Sequence, residues 1–335
     1  MLTPKNGGIT MCTSLFIGSE KRGKHSLFGR NMDIEAHFGE TVVITPRAYP
    51  FHLRCLPDEK THYAIIGMAT IREGFPLYAD AMNEKGLCMS GLHFPGNAVY
   101  TPREKVPDGI RRVAPFELVP YLLGTCGTVQ EVKAVLQSAV IVDVPFSNIL
   151  PNTPLHWHIA APDGAVILEA VADGLRIYDD TVGVLTNNPP YPFHVTNLRR
   201  YAGLSENPLP EEGSDRQKTH PGETYDLGVG LVGLPGDATS PARFVRCATL
   251  KRLTAWESLT HNEALGQFFR LLGAVAVPYG VVLTKEGACH ATRYSCCMDT
   301  ETMTYHVLTD QTITPFSVTL TKERCEGELL WKAHP

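Results

Sequence analysis

The grouping of strand signals constrains this chain more than any other feature. Short apolar or alternating runs bounded by turn residues come in series, with helix signals between the series rather than after each strand. The first series reads at 13–18, 25–29, 41–45, 63–69 and 86–92. A second reads at 138–143, 155–161, 165–171, 174–178 and 182–186, and a last at 290–298, 302–308 and 316–320. Between them, residues 113–124 are apolar but broken at Pro120, and Thr128 with Glu131 forms a capping box that predicts a helix to about Ala139. A short helix follows around 194–203. Ser240-Pro241 reads as N-cap and N1 of a helix to about Trp256, and Thr260 with Glu263 is a second capping box for a helix to about Val275. Strand runs and helix pairs segregated in this way predict an α+β fold and exclude a doubly wound one.

Size and charge then narrow the class. At 335 residues and 43% hydrophobic, the chain has apolar material for a large core, which excludes disorder and collagen. Thirty Lys+Arg against 35 Asp+Glu leave a net charge of −5, so there is no basic excess to bind nucleic acid or an anionic membrane surface. The first twenty residues lack the charged and apolar regions of a secretory signal, and no apolar run is long enough to span a bilayer. A cytoplasmic location is expected. Nine cysteines without framework spacing or a C-x-x-C read as reduced thiols, most of them buried and inert. Residues 1–10, with Pro4 and Gly7-Gly8, read as a loose leader expected to be absent from the mature protein, and residues 12–335 as a single domain. The polar, proline-bearing stretch 205–227 is too long for an ordinary connection and is expected to be a functional or assembly element.

Cys12 directly follows Met11 at the head of the first strand. Were it to become N-terminal, one residue would own a thiol and an α-amine. That amine titrates near ~7.7–8.0, close enough to neutrality to act as general base on the neighbouring nucleophile. Position alone favours a buried core cysteine. Cys12 is followed, however, by Phe28-Gly29-Arg30-Asn31-Met32-Asp33, Asn83-Glu84-Lys85-Gly86-Leu87, LHW at 155–157, Leu185-Thr186-Asn187-Asn188-Pro189, GLVGLPGD at 230–237 and Arg243-Phe244. In this order and spacing the motifs resemble the choloylglycine hydrolase family of cysteine N-terminal-nucleophile hydrolases, which includes bile salt hydrolases and penicillin V acylases.

The resemblance implies a four-layer αββα sandwich and a hydrolase acting on linear amide C–N bonds. It matches Cys12 to the nucleophile, Arg30 to a buried arginine that favours thiolate, and Asp33 to an acid that holds the α-amine. Asn187 matches the oxyanion-hole amide and Arg243 a second arginine of the charge network. Where the family's bile salt hydrolases usually carry Asn and its penicillin acylases Tyr, this chain has His93, whose ring or backbone N–H would serve the oxyanion. Met32, Phe75 and Tyr78, with residues 140–147, are the implied lining of an apolar substrate pocket. The implied reaction is cleavage of a conjugated bile salt at the amide joining bile acid to glycine or taurine, by a homotetramer with no metal or organic cofactor. A penicillin V or acyl-homoserine lactone acylase is the alternative, and a non-catalytic binding homologue a further one.

Taken singly, the same residues have plainer readings. Arg30 and Asp33 could form a simple ion pair, Asn187 could be a turn former and Arg243 a solvated helix residue. Three other patterns carry no function on this reading. Gly228-Val-Gly-Leu-Val-Gly233 fits G-x-G-x-x-G but follows a polar loop rather than a strand, so it reads as a glycine-rich turn. His156 and His158 share a strand face without a third metal ligand at a recognisable spacing and read as structural, and Cys296 and Cys297 point to opposite faces of a strand.

Overall fold

The computed structural model describes residues 11–18, 26–57, 61–207 and 227–335; the leader 1–10 and all but the ends of the 205–227 stretch lie outside the described residues. Two antiparallel sheets face each other. The first runs, in spatial order, β12 (Val184–Leu185), β1 (Met11–Ile17), β2 (Leu27–Ile34), β14 (Cys289–Asp299), β15 (Thr304–Thr309) and β16 (Phe316–Thr319), with β13 (Val282–Leu283) paired to β14. The second runs β11 (Gly174–Asp179), β10 (Gly164–Val171), β9 (Leu155–Ala161), β6 (Cys88–His93), β5 (Phe75–Asn83), β4 (Ile65–Arg72), β3 (Thr41–Thr45) and β17 (Trp331–Ala333). A small parallel pair, β7 (Arg111–Val113) with β8 (Ala139–Ile141), stands apart.

Helices close both outer faces. α1 (Leu118–Thr125) and α2 (Val129–Leu136) pack on the second sheet, while α4 (Ser240–Leu253) and α5 (His261–Gly273) cover the first, with α3 (Tyr191–Leu198) beside α4. The order helix, sheet, sheet, helix is the αββα sandwich expected. One apolar cluster, including Phe28, Met82, Phe244 and Phe268, fills the space between the sheets and beneath α4 and α5. A second, including Trp157, Leu122, Phe75 and Tyr78, lies between the second sheet and α1 and α2. Each such side chain, fully buried, contributes about 1.5–3 kcal/mol relative to exposure, so both faces of the second sheet are held by packing.

Local differences from the sequence reading have physical causes. Pro120 does not break its helix, because α1 begins at Leu118 and the proline falls in the first turn, where the missing N–H has no intrahelical partner to lose. Both capping boxes form, though the helices stop at Leu136 and Gly273. The N-cap of α4 is Thr239, whose hydroxyl accepts from the Ala242 N–H, and Ser240 is left free for another task. The unread β5 opens with Phe-Pro and carries buried Asp80, which interrupts its apolar alternation. The G-x-G-x-x-G run forms a 3-10 turn at Val229–Leu231 with Gly228 at φ 81°, a left-handed position, as a glycine-rich turn should.

Candidate active site

Pairing of β1 with β2 sets Met11 opposite Asp33 and Cys12 opposite Met32. Ser14, two residues on, reaches Ser90 of the facing sheet at 3.2 Å, so this face of β1 looks into the space between the sheets. Cys12 lies at its end, 1% exposed. From β2, Arg30 Nη2 donates to Cys12 Sγ at 2.5 Å and Nη1 donates across the interface to the Gly91 carbonyl at 2.5 Å. Its Nη2 also meets the Met32 sulfur at 3.6 Å, which places Met32 beside the thiol.

The opposite face of β1 is held from the helix layer. Arg243 of α4 donates through Nη1 to the Cys12 carbonyl and to Thr13 Oγ1 (2.6 Å), and through Nη2 to Asn187 Oδ1 (2.8 Å). The same Asn187 oxygen accepts the Cys12 backbone N–H at 2.8 Å, and Asn187 Nδ2 donates to the His93 carbonyl at 2.8 Å. Asp33 accepts from Thr292 Oγ1 at 2.5 Å through Oδ1, while its buried Oδ2 has no hydrogen-bond partner among the described residues. All six residues read as chemistry-bearing, Cys12, Arg30, Asp33, His93, Asn187 and Arg243, are thus brought together and buried. Cys12 is separated from Asn187 by 175 positions and from Arg243 by 231, so only the fold unites them.

Burial dominates the electrostatics. It pushes the Cys12 thiol up from its ordinary range, against the pull of Arg30, with Asp33 adding to the rise and the His93 backbone hydrogen bond and Arg243 opposing it. Arg30 therefore acts in the direction expected, but the balance favours the thiol. Asp33 is also raised by burial, opposed by Arg243 and the Thr292 hydroxyl. A thiol so placed needs a local base to take its proton. The guanidinia and amide donors around it suit a reaction in which negative charge develops.

The segment carrying Asn187 is clamped from behind by residues to which the sequence reading gave no part in the site. Asn187 N–H donates to Ser240 Oγ at 2.9 Å, which is why Ser240 does not cap α4. His156 Nε2 meets the Thr186 carbonyl at 2.8 Å and His194 Nε2 the Asn187 carbonyl at 2.9 Å. His158 lies between Ser14 Oγ (2.9 Å from Nδ1) and Asp180 Oδ2 (2.9 Å from Nε2), all fully buried. Both histidines thus carry structural contacts, as expected. No sequence signal marked Ser240 for this contact, because it lies 53 positions from Asn187.

The pocket-lining expectation divides. Met32 is at the thiol, whereas Phe75 and Tyr78 are not brought to it, and they correct that expectation. Both sit in the outer cluster against α1, Phe75 edge-on to Phe116 and Phe51, and Tyr78 with its hydroxyl 2.7 Å from Thr45 Oγ1. Phe146 of the 140–147 stretch packs with Phe75 in the same outer layer. Phe75 and Tyr78 leave β5 on its helix side, while the carbonyl of Ala79 turns toward Arg30, at 3.4 Å.

Comparison with known proteins places the chain in a family. Residues 12–328 match the family model described as linear amide C–N hydrolases, choloylglycine hydrolase family. The chain is similar to the bile salt hydrolase/transferase of Lactiplantibacillus plantarum, 40% identical over 316 residues covering 94% of each chain. It is similar also to the bile salt hydrolase/transferase of Clostridium perfringens, 37% identical over 95% of this chain and 94% of that one. Among solved structures, a single-residue variant of the conjugated bile acid hydrolase from Clostridium perfringens superposes with a TM-score of 0.87, 34% identity and 97% of each chain covered. The penicillin V acylase from Agrobacterium tumefaciens shares the fold, with a TM-score of 0.72 at 20% identity over 96% of this chain and 90% of that one. With its αββα sandwich and a family match across nearly its whole length, this chain belongs to the choloylglycine hydrolase family of linear amide C–N hydrolases.

Proposed function

We propose that the protein is a bile salt hydrolase, cleaving the amide between a bile acid and glycine or taurine with Cys12 as nucleophile. The observation that carries this reading is the seat of Cys12, with its sulfur on Arg30 and its backbone bound to Asn187 and Arg243, in a chain 40% identical to a bile salt hydrolase/transferase over 94% of its length. In this reading residues 1–11 are lost and the freed α-amine takes the thiol proton. The buried, unpartnered Oδ2 of Asp33, which lies across from Met11 in the sheet, supports this, since a carboxylate there would hold an ammonium. The thiolate attacks the scissile carbonyl, and donors from Asn187 and position 93 receive the oxyanion. The amine of glycine or taurine leaves with the proton, and water, deprotonated by the same α-amine, splits the thioester.

Met32 beside the thiol is the proposed apolar contact for substrate. A homotetramer assembled through the 205–227 stretch and a cytoplasmic location belong to the same proposal; no helix among the described residues is long and apolar enough to cross a membrane. Taurocholate, glycocholate and penicillin V offered in parallel test the reading. Turnover of the bile salts, abolished in Cys12→Ala, is expected; hydrolysis of penicillin V alone would reassign the substrate, and activity in Cys12→Ala would reassign the nucleophile.

A further inference from the structure

Close to Arg30 lies a second buried acid that the proposed mechanism does not use: Arg30 bonds the carbonyl of Ala79, the residue before Asp80, and Cys296, opposite Arg30 in the β2–β14 pairing, bonds Asp80 itself. Asp80 of β5 is fully buried, and three donors from the facing sheet converge on it. Tyr294 Oη donates to Oδ2 at 2.6 Å, Tyr305 Oη to Oδ1 at 2.6 Å and Cys296 Sγ to Oδ1 at 3.4 Å. Three converging donors are what an acceptor-only carboxylate needs and what a protonated acid, with its own hydrogen to place, does not. Two β-bulges create the meeting. In β5 the pairing with β4 slips so that Ala79 is extra, and in β14 the pairing with β2 slips so that Arg293 is extra. Bulges next to a site re-aim side chains, and here they turn Asp80 and Tyr294 toward each other across the inter-sheet space. The first also brings the Ala79 carbonyl to Arg30 Nη1.

We infer that Asp80 is a positioning residue, the resident counter-ion of Arg30, so that this guanidinium meets Cys12 as a compensated charge rather than a bare one. Arg30 is completely buried and has no route to solvent for its charge. Burial works against that charge, and an anion at Cys12, Tyr294 or Asp80 would sustain it; burial favours the neutral forms of Cys12 and Tyr294, which leaves Asp80. The Asp80 carboxyl is pushed up by burial and pulled back by Arg30 and by its three donors. With Asp80 ionised, the buried guanidinia Arg30 and Arg243 are matched by the carboxylates Asp33 and Asp80. Cys12 can then rest as a neutral thiol until a base removes its proton. The ionisable groups facing Asp80 are Arg30 on β2, Tyr294 and Cys296 on β14 and Tyr305 on β15; Cys12 on β1, Asp33 on β2 and Arg243 on α4 complete the charge set around Arg30.

The inference rests on the proposed role of Cys12 but not on the identity of the substrate. The test is the pH dependence of Cys12 alkylation by iodoacetamide, quantified by peptide mass spectrometry on the purified protein, beside the acid limb of kcat/KM for taurocholate. Asp80→Asn keeps the shape and can still bond both tyrosines while removing the charge. It should lower the alkylation midpoint by about one pH unit or more, because an uncompensated guanidinium favours thiolate. Asp80→Glu restores the charge at the expense of packing and should keep the midpoint near that of the native protein. An unmoved midpoint in Asp80→Asn, or an equal shift in Asp80→Glu, overturns the inference and leaves Asp80 a packing residue. A protein that turns over no bile salt yet shows the shifted midpoint refutes the proposed function and upholds the role of Asp80.

Discussion

At the level of single residues, Asn187 does the most varied work. Its Oδ1 accepts from both Cys12 and Arg243, and its Nδ2 donates to the His93 carbonyl, so one amide links Cys12, Arg243 and the end of β6. If that amide also meets the oxyanion, Asn187→Ala should lower kcat by roughly 10²–10³, about 2.7–4 kcal/mol of transition-state stabilisation. A rise in KM with kcat intact would make it a substrate-binding residue instead. Position 93 separates backbone from side chain. The His93 backbone contacts both Asn187 and the thiol whatever the ring does, so His93→Asn should retain bile salt hydrolysis while His93→Tyr shifts the ratio toward penicillin V. If neither substitution moves the ratio of taurocholate to penicillin V turnover, the ring does not select substrate. The identity of these residues was legible from motif order; their hydrogen bonds were not, because each partner lies on a different element.

Among the elements, α3 matters more than its eight residues suggest. His194 of α3 stacks on Phe244 at 4.8 Å and donates to the Asn187 carbonyl, so it supports the segment that carries the amide. Burial lowers its pKa to about 4, with the Asn187 bond and Glu169 opposing and His156 and Arg243 reinforcing. Its Nδ1 is buried without a hydrogen-bond partner among the described residues, so a proton added there would be an unpaired buried charge. Since the folded-state pKa lies below the ordinary value near 6.5, the unfolded chain binds the proton first. Stability from this group is full above about 6.5 and is lost as pH falls toward 4, by at most about 3 kcal/mol. Denaturant unfolding at pH 7 and pH 4.5 should show the native protein losing more stability than His194→Gln, in which that group no longer titrates. Equal losses would remove His194 from the account. The sequence reading placed this helix at 194–203, three residues late, because Pro190 and Pro192 hid its start. The same masking hid β5, whose Asp80 looks like a surface residue until the facing tyrosines are known.

At the scale of the whole molecule, the segregation of strands and helices was enough to predict α+β, and local caps located most helices. What local pattern could not supply was which strands face which across the sandwich. Facing across the sandwich brings Arg30 to Gly91, while pairing within the first sheet brings Asn187, just after β12, to Cys12 and Asp33 to the end of β1; both were accessible only through motif order. The pairing also bears on the start of the chain. Met11 is the first residue of β1 and sits opposite Asp33, so Cys12 is one position inside the strand, with its nitrogen an amide that carries no basic lone pair. Burial has raised the thiol, and the arginines that oppose this bear no proton acceptor, so Cys12 lacks the α-amine proposed as its base while residues 1–11 remain. Protein expressed from Met11 should therefore be fully active and show Cys12 at its N-terminus by intact mass. Protein that retains residues 1–11 should be silent toward taurocholate, and should gain activity in step with their loss. An unprocessed 335-residue form that matches the shorter one in rate would require a different base, and Asp33, whose free oxygen lies across from Met11, would be the first group to replace.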